Sequence, residues 1–493
     1  MSRFSKAAWI FLLPIFFRSI SVFSQQILAQ SDVDKEFINR SSDLLFLETS
    51  KFPFQKVLLI GGKEKVLPFV LAPNFEMTPL GAVMLPDRGS QKDLIGGVHL
   101  GSKSILLYAN SKKSDFVSIT IDHETKKSVK SLIGLKKGEV FLESFALNTS
   151  FFIVTTFWNR STINFYEISL DKNFVFHELN LNDFNLREKN FFETLLRETR
   201  EPEFTNVSYD TINSLEITYL RNKLYHFGNT CYITLDYDGW RTYVLKIDLI
   251  NWTVTLRKIG NQKSKGVIKS NSYLFFNDLF RAELTNDSLR ICVFELESGK
   301  IKVEFAAAEN EEIVFKNTPI IQEGGSTIFA LDERELVKTK SLFRKIVNSN
   351  IAIAVTDNRT HDSAIYVTVG SINSIKVNVR TSPLSSPGVS PSGDIIAQKQ
   401  SYNPTFSGYQ NYNWSKSAYF QLKLSKDLTH LQGNVEEHEF DKMKKYLDND
   451  SQNIPGTDVS MRDVLLKTIF NSEKKFFAAI YSKKKEKLLI IRP

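Results

Sequence analysis

Residue types that bind metals or act as nucleophiles are sparse in this 493-residue chain. Seven histidines are present, and the two nearest to each other, His430 and His438, are eight residues apart. Because no His-Glu-x-x-His segment and no Cys-x-x-Cys pair occurs, no metal site is encoded locally. A site assembled from distant segments stays open. The sequence also lacks a Gly-x-Ser-x-Gly nucleophile elbow, and we expect no cofactor.

Asp236 and Asp238 are the nearest approach to a calcium-binding loop, in the segment Asp-Tyr-Asp-Gly-Trp. Alternate carboxylates of this kind can converge on one hard cation. A third carboxylate and the distal glutamate of such loops are missing here. Asp-Gly between two strand-like segments is also typical of a hairpin turn, which is the interpretation that we favour. Both aspartates are kept as candidate ligand-binding residues.

A second group of candidates is Asp87, Arg88 and His99, in a region of low strand content. Polar loops on the rim of a repeat-built protein can form a site, and these side chains could supply charge and a proton carrier. The alternative that we favour is an ordinary surface loop.

Two further features could bind polymers. The run Lys483-Lys484-Lys485 could bind an anionic surface, although hairpin turns often carry such charges. Exposed tryptophans could stack on sugars, although burial in a strand core is the more usual role of this residue. The tryptophans in question are Trp158, Trp240, Trp252 and Trp414.

The elements that must position these residues follow a repeated strand–turn–strand pattern. Alternating apolar segments rich in Phe, Tyr, Ile and Val flank polar turns near Asp122, Asp171, Asp248, Glu297, Gly370 and Ser425. Most of these units have a further strand-like segment just upstream. Repetition at this spacing predicts an all-β protein, a six- or seven-bladed β-propeller with small helical insertions.

The pattern is interrupted by segments that read as helices, at 191–203, 435–448 and 458–470. Near the C-terminus, the strand-like segments 476–481 and 487–491 flank a turn and form a partial blade, and near the N-terminus the strand-like segments 56–60 and 66–71 lack a local partner. We therefore expect the two ends to pair and close the ring, which removes exposed sheet edges.

The segment 390–397, Ser-Pro-Ser-Gly-Asp-Ile-Ile-Ala, resembles a known blade motif. It is similar to the Ser-Pro-Asp-Gly-x-x-Ile-Ala motif of TolB-type propellers and of the propeller domains of prolyl-oligopeptidase-like peptidases. The resemblance covers one blade, residues 386–432, and Ser392 replaces the usual aspartate. It implies a propeller fold and, because the motif is structural in that family, it brings no catalytic residue.

The first 24 residues are predicted to be a secretory signal. Basic residues precede an apolar run at 7–17, and cleavage could follow Ser24 or Ala29. The run is too short to span a bilayer, and an uncleaved anchor is the alternative. A single propeller domain is expected over 50–493, in a secreted or periplasmic protein whose mature form has no membrane span.

Charge and cysteine content fit an exported protein. The formal net charge of +8 falls to +5 when Arg3, Lys6 and Arg18 are removed with the signal. A charge of this size is weak support for nucleic-acid binding, and we expect the protein to bind no nucleic acid. Export would permit a disulfide between Cys231 and Cys292, and two buried free thiols are the alternative. We expect a monomer.

These features favour a non-catalytic binding or scaffolding module whose ligand is a protein or a glycan. A propeller often serves as a platform, and no nucleophile, metal or phosphate motif is apparent. The alternative is a propeller hydrolase or lyase that acts on glycans or peptides, with acidic and histidine side chains gathered in the central channel.

Overall fold

The computed structural model describes residues 26–38, 42–49, 56–157, 160–170, 173–181, 204–209, 213–260, 266–323, 334–357, 364–373, 416–449, 452–473 and 475–492. The blade motif at 390–397, the helix predicted at 191–203, Trp158 and Trp414 lie outside these residues.

Three antiparallel sheets occupy the first part of the chain. The strand β1 (Gln26–Asp32) precedes them and pairs elsewhere. Sheet 1 consists of β2 (Asp43–Glu48), β3 (Lys56–Gly61), β4 (Lys65–Leu71) and β5 (Met77–Pro79), with β6 (Val83–Met84) also paired to β4. Sheet 2 consists of β7 (Asp93–Leu100), β8 (Lys103–Ala109), β9 (Asp115–Asp122) and β10 (Lys127–Gly134). Sheet 3 consists of β11 (Glu139–Leu147), β12 (Ser150–Phe157), β13 (Thr162–Ser169) and β14 (Asn173–Asn180).

Two more sheets follow in sequence. Sheet 4 consists of β15 (Phe204–Val207), β16 (Asn222–Phe227), β17 (Thr230–Asp238), β18 (Arg241–Asp248) and β19 (Thr253–Gly260). The short strand β15 runs parallel to β16, and the helix α1 (Leu215–Thr218) lies between them in sequence. Sheet 5 consists of β20 (Lys269–Phe275), β21 (Asp278–Leu284), β22 (Ser288–Glu295) and β23 (Ile301–Ala308).

In sheet 6 the spatial order of the strands departs from the chain order, and sheet 7 takes one strand from the N-terminal part of the chain. Sheet 6 consists of β24 (Ile321–Glu323), β25 (Arg334–Glu335), β26 (Asn350–Asp357), β27 (Ile365–Asn373) and β28 (Lys416–Leu424), with β24 paired to β28. The helix α2 (Thr339–Val347) precedes β26. Sheet 7 consists of β29 (Val464–Ser472), β30 (Lys475–Ser482), β31 (Lys487–Arg492) and β1. The helix α3 (Glu439–Asp448) packs on β30.

The sheets follow one another around a ring. The first strands of successive sheets touch, since β29 contacts β2, β2 contacts β7, and β7 contacts β11. Antiparallel sheets arranged in this way form a β-propeller, so the predicted all-β propeller is confirmed. The part of the chain that the structure describes contains seven such sheets.

Apolar side chains between neighbouring sheets hold the ring together. The strand β12 is buried at every position, because a neighbouring sheet covers each of its faces. The outer strand β10 instead alternates between exposed and half-buried positions over most of its length. Full burial explains why inner strands read in sequence as continuous apolar runs, and outer strands as alternating ones.

The N-terminal strand β1 closes the ring. It pairs antiparallel with β31, from Gln26 opposite Arg492 to Asp32 opposite Lys487. The two ends of the chain therefore share sheet 7, but the segments at 56–60 and 66–71 lie in sheet 1 rather than beside the C-terminus. Among the described residues, β1 at Gln26 is the first strand that pairs into the ring.

Two local predictions are wrong. Residues 458–470 are not a helix, since a 3₁₀ turn at Met461–Asp463 leads into β29. Burial on both faces of β29 produces the apolar spacing that resembles a helix. The turn predicted at Gly370 is the interior of β27, where an added Cβ would lie 2.3 Å from the carbonyl oxygen of Ala418. The glycine thus permits close approach of the neighbouring strand.

Within the described ranges, no helix has both the length and the apolar character needed to cross a membrane.

Candidate ligand-binding face

One face of the ring carries the loops that lead into each sheet and those that join its second and third strands. We call it the entry face, because the first strand of each sheet begins there. Asp87 and Arg88 lie on it, in the connection from sheet 1 to sheet 2. The hairpin turn between β17 and β18 lies on it as well, with Asp238 paired to Arg241 across Gly239 and Trp240, as predicted.

Basic side chains on the entry face stack over aromatic rings. Each cation belongs to a loop or strand end at this face, and the pairs run from the connection between sheets 1 and 2 to sheet 4. The cation-to-centroid distances are 4.2 Å for Arg88 over Tyr108, 4.6 Å for Lys113 over Phe141, 3.6 Å for Lys136 over Phe176, 4.9 Å for Arg160 over Phe157 and 3.6 Å for Arg241 over Trp240.

The packing of the rings explains where the cations lie. Tyr108, at the end of β8, is 1% exposed, so its ring belongs to the core between sheets 1 and 2. Burial raises the pKa of its phenol to about 12, so the ring stays neutral. Arg88 covers this ring and donates to the carbonyl oxygen of Lys63 at 3.3 Å. Each such stack contributes about 0.5–1 kcal/mol at an exposed site, enough to bias the cation toward one position.

Six described loop segments in the arc from sheet 1 to sheet 4 are together basic. The described segments 62–65, 85–93, 110–115, 135–139, 160–161 and 239–241 contain ten Lys and Arg against five Asp and Glu, a net charge of +5. Several of the acidic groups serve their own loops. Asp115 accepts hydrogen bonds from Asn110 at 2.8 Å and Ser114 at 2.9 Å, and Asp87 accepts one from the backbone N–H of Gly89 at 3.1 Å.

Glu139, the first residue of β11, is saturated with donors. Its carboxylate accepts hydrogen bonds from Tyr166 at 2.5 Å, Asn164 at 2.9 Å, the backbone N–H of Lys136 at 2.9 Å, and the hydroxyl of Thr155. Burial and the hydrogen bond to Glu139 raise the pKa of the Tyr166 phenol well above its ordinary value. The Tyr166 phenol therefore keeps its proton, and its hydrogen bond to Glu139 fixes the start of β11.

Beneath the β17–β18 turn, Asp236 lies in a buried polar network between sheets 4 and 5. Its carboxylate accepts hydrogen bonds from Thr242 at 2.5 Å, from the backbone N–H of Ser272 at 2.8 Å and from the hydroxyl of Ser272 at 2.9 Å. Lys223 lies 4.0 Å away and donates to Asn271 at 3.2 Å. Burial lowers the pKa of Lys223 to about 8. These bonds tie two sheets together and leave Asp236 no role as an exposed ligand.

Arg281 and Glu283 extend this network along β21. Both side chains are fully buried, and the Nε of Arg281 lies 2.9 Å from Oε1 of Glu283. Arg281 also donates to Ser270 at 3.2 Å and to Thr242 at 3.3 Å. Arg290 donates to the other carboxylate oxygen of Glu283 at 3.0 Å. The network therefore joins β18, β20, β21 and β22.

The structure brings together only some of the candidate residues. Arg88 and Asp87 share the entry face with the turn that follows Asp236, and the side chain of Asp238 lies outside the description. His99 lies near the far end of β7, at the opposite face of the ring. The described residues contain no group of three His, Cys, Asp or Glu side chains that could hold a metal ion.

His99 belongs to a buried three-residue chain of hydrogen bonds at that opposite face. Its Nδ1 lies 2.8 Å from the Ser104 hydroxyl, which lies 2.8 Å from Nε2 of His123. The single hydroxyl proton can be donated to one ring only, so the other ring must donate to Ser104. Ser104 is fully buried, which excludes it as a nucleophile for an external substrate.

We expect these histidines to make the protein sensitive to acid. Burial, with the nearby His123, lowers the pKa of His99 to about 4, and burial lowers that of His123 although Asp122 opposes the shift. Burial also lowers the pKa of His438, before α3, to about 4. Below pH 6.5 the unfolded chain binds protons that the folded chain excludes, so stability falls from pH 6.5 to about 4.

His99 alone should account for about 3 kcal/mol of this loss. Denaturant unfolding of the wild type and of His99→Gln, measured at pH 7.5 and pH 5, checks the expectation. The variant should lose less free energy of unfolding than the wild type over this interval. An equal pH dependence in the two proteins would contradict the assignment.

The two cysteines are separate buried thiols. Cys231 lies in β17 and Cys292 in β22, both are free, and burial raises the pKa of both thiols, that of Cys292 to about 12. The structure therefore places no disulfide between them.

The lysine run at 483–485 and the tryptophans that the structure describes make specific contacts. Lys484 and Lys485 lie in the β30–β31 turn and pair with Asp463 at 3.5 Å and Asp458 at 2.9 Å, which offsets the charge of the run. Trp252 is half-buried and stacks on His177 with ring centroids 3.5 Å apart. Trp240 is 39% exposed beside Arg241.

The sequence did not reveal the basic residues Lys113, Lys136 and Arg160 as members of a site. In the sequence each of them is only a lysine or arginine in the loop before β9, β11 or β13, and basic residues are common in surface turns. Only the fold shows that these loops share one face.

No protein-family model and no curated protein matches the chain. Among solved structures, it is similar to a neuraminidase-like protein from A/bat/Guatemala/164/2009, with 9% identity, 70% of this chain and 89% of that chain covered, and a TM-score of 0.27. The WD40 domain of SCAP from fission yeast gives 10% identity, coverages of 88% and 80%, and a TM-score of 0.25. The Dos1 propeller gives 10% identity, coverages of 65% and 63%, and a TM-score of 0.28. At such identities the likeness concerns the fold alone.

Proposed function

We propose that this chain is an exported β-propeller that binds a ligand at its entry face without transforming it. The observation that carries the proposal is the set of five cation–aromatic stacks on that face, from the connection between sheets 1 and 2 to sheet 4. Charged side chains held in place over aromatic rings lose less conformational freedom on binding than unsupported ones do. A surface organised in this way suits recognition.

Export enters the proposal through the signal-like N-terminus and the position of β1. Cleavage after Ser24 would leave β1 intact, because the strand begins at Gln26. Cleavage after Ala29 would remove four of its residues and the pairings of Gln26, Ile27 and Ala29 with β31. We therefore propose Ser24 as the cleavage position in a secreted or periplasmic protein. Among β-propeller proteins, the sequence of the segment 390–397 supports a relationship of this chain to the TolB type.

A propeller hydrolase or lyase is the second candidate, and Glu139 with Tyr166 is the pair on which it would rest. General base catalysis needs a group that can accept a proton near neutral pH. The Tyr166 phenol keeps its proton and Glu139 is already bonded to four donors, so this geometry favours binding over catalysis.

Incubation of the secreted protein with a panel of polymers tests the proposal. The panel contains polygalacturonate, chondroitin sulfate, xylan, dextran and casein, and retardation in native gels containing each polymer reports binding. We expect retardation by at least one polymer with no new reducing ends, unsaturated sugars or peptides released. Product release that is lost in Glu139→Gln or Tyr166→Phe would overturn the non-catalytic assignment. The absence of binding to the whole panel would overturn the proposed binding function.

A further inference from the structure

We infer that the ligand of the entry face is an acidic polysaccharide, a sugar chain that carries carboxylate or sulfate groups. The inference rests on the proposed binding function and names its ligand class. Its starting point is the extent of the basic surface. Neighbouring sheets in proteins pack about 10 Å apart, so cations that run from the connection between sheets 1 and 2 to sheet 4 cover roughly 25 Å. That extent fits a polymer better than a small anion.

The basic groups themselves suit carboxylate and sulfate. Arg88 and Arg160 present planar guanidinium groups, which can bind two oxygens of one anion at once. Lys113, Lys136 and Lys137 add compact charges in the neighbouring loops. A ligand with an anionic group on successive units would meet several of these cations along the arc.

The aromatic residues of this face act as supports rather than as stacking surfaces. Tyr108 and Phe157 are buried, and Phe141 and Phe176 are half-buried beneath their cations. Proteins that bind single-stranded nucleic acids instead expose aromatic rings on which bases stack. The face therefore presents charge, and recognition by charge is what a polyanionic sugar chain requires.

A membrane surface fits these loops less well. Peripheral binding to anionic lipids usually combines basic residues with apolar side chains that enter the interface. In the six loop segments counted above, Trp240 is the one large apolar side chain that is exposed, and Met84 and Leu132 are exposed in the adjoining strands. The ten basic side chains of these loops outnumber the exposed apolar ones, which favours a soluble polyanion over lipid.

The test compares two variants with the same change in net charge. The entry-face variant carries Lys113→Gln, Lys136→Gln, Lys137→Gln and Arg160→Gln. The control carries Lys103→Gln, Lys127→Gln, Lys300→Gln and Lys426→Gln, at exposed positions on the opposite face. The probes are polygalacturonate, chondroitin sulfate, dextran, duplex DNA and phosphatidylserine vesicles, in about 0.15 M salt, where exposed charges more than ~8 Å apart are screened. Unchanged melting temperatures establish that both variants are folded.

We expect the wild type to bind at least one acidic polysaccharide and not dextran. The entry-face variant should need at least tenfold more polysaccharide for half-saturation, and the control less than threefold more. Equal losses in both variants, no binding to either acidic polysaccharide, or tighter binding to DNA or vesicles would overturn the inference. Binding to xylan, dextran or casein alone would leave the proposed function intact and reject only this ligand class. Release of products would reject the non-catalytic function while the ligand class stood.

Discussion

Replacement of Glu283 by glutamine is expected to lower the free energy of unfolding by about 3–5 kcal/mol. The Glu283 carboxylate lies 2.9 Å from Arg281 and 3.0 Å from Arg290, and Arg281 is fully buried. Removing the negative charge leaves the Arg281 guanidinium without its counterion in a place that water does not reach. Because these residues link sheets 4 and 5, the loss should appear in the global unfolding transition. Urea denaturation followed by tryptophan fluorescence measures it.

The matched control is Glu297→Gln, the same substitution in an exposed ion-pair network. Glu297 pairs with Lys246 at 3.0 Å and Arg257 at 2.8 Å, but its side chain is 55% exposed. Solvent screens such pairs, so the expected loss is below about 1 kcal/mol. A loss at Glu283 no larger than that at Glu297 would show that the buried network contributes little to stability.

Removal of β1 is the second change with a large expected effect. The strand pairs with β31 at six positions, from Gln26 to Asp32, and the backbone N–H of Val33 bonds to Glu486 at 2.7 Å. At a net value of about 0.5–1.5 kcal/mol for each lost hydrogen bond, about six lost bonds give a destabilisation of roughly 3–9 kcal/mol. The deletion also exposes the edge of β31, whose residues Leu488 to Ile491 are apolar and buried.

Thermal unfolding of chains that start at residue 25 and at residue 33 provides the comparison. The shorter chain should melt at a lower temperature and aggregate, because an uncovered strand edge can pair with other molecules. Equal melting temperatures and equal solubility would mean that sheet 7 is stable with three strands.

Local sequence patterns were sufficient to predict many of the hairpins. The alternation around the turn at Asp122 corresponds to β9 and β10, that around Asp248 to β18 and β19, and that around Glu297 to β22 and β23. In each case a polar turn separates two strands that pair directly, so neighbouring residues contain all the information.

The remaining features depend on contacts between distant residues. Gly370 reads as a turn until its neighbour Tyr419, across 49 positions of sequence, is known to approach it. The 458–470 segment reads as a helix because the sheet that buries both faces of β29 is not visible in the segment itself.

The candidate site follows the same rule. Arg88 was named from its loop, but its ring partner Tyr108 lies 20 residues further on, across the β7–β8 hairpin. Asp236 was kept as a candidate ligand-binding residue beside a predicted hairpin turn, and the residues that bury it, such as Ser272, belong to another sheet. Sequence therefore identified single charges, and only the ring shows which of them are exposed together.

Closure of sheet 7 by β1 also sets the order in which the chain can fold. The strand β1 must wait for β31, which follows it in the chain only at Lys487–Arg492, before it finds its partner. Contacts between positions so far apart in sequence form slowly, because the chain must first bring its ends together. Until then the ring is open and incomplete. A protein built in this way can be translocated across a membrane as an unfolded chain and reach its native state only afterwards, which suits the proposed export.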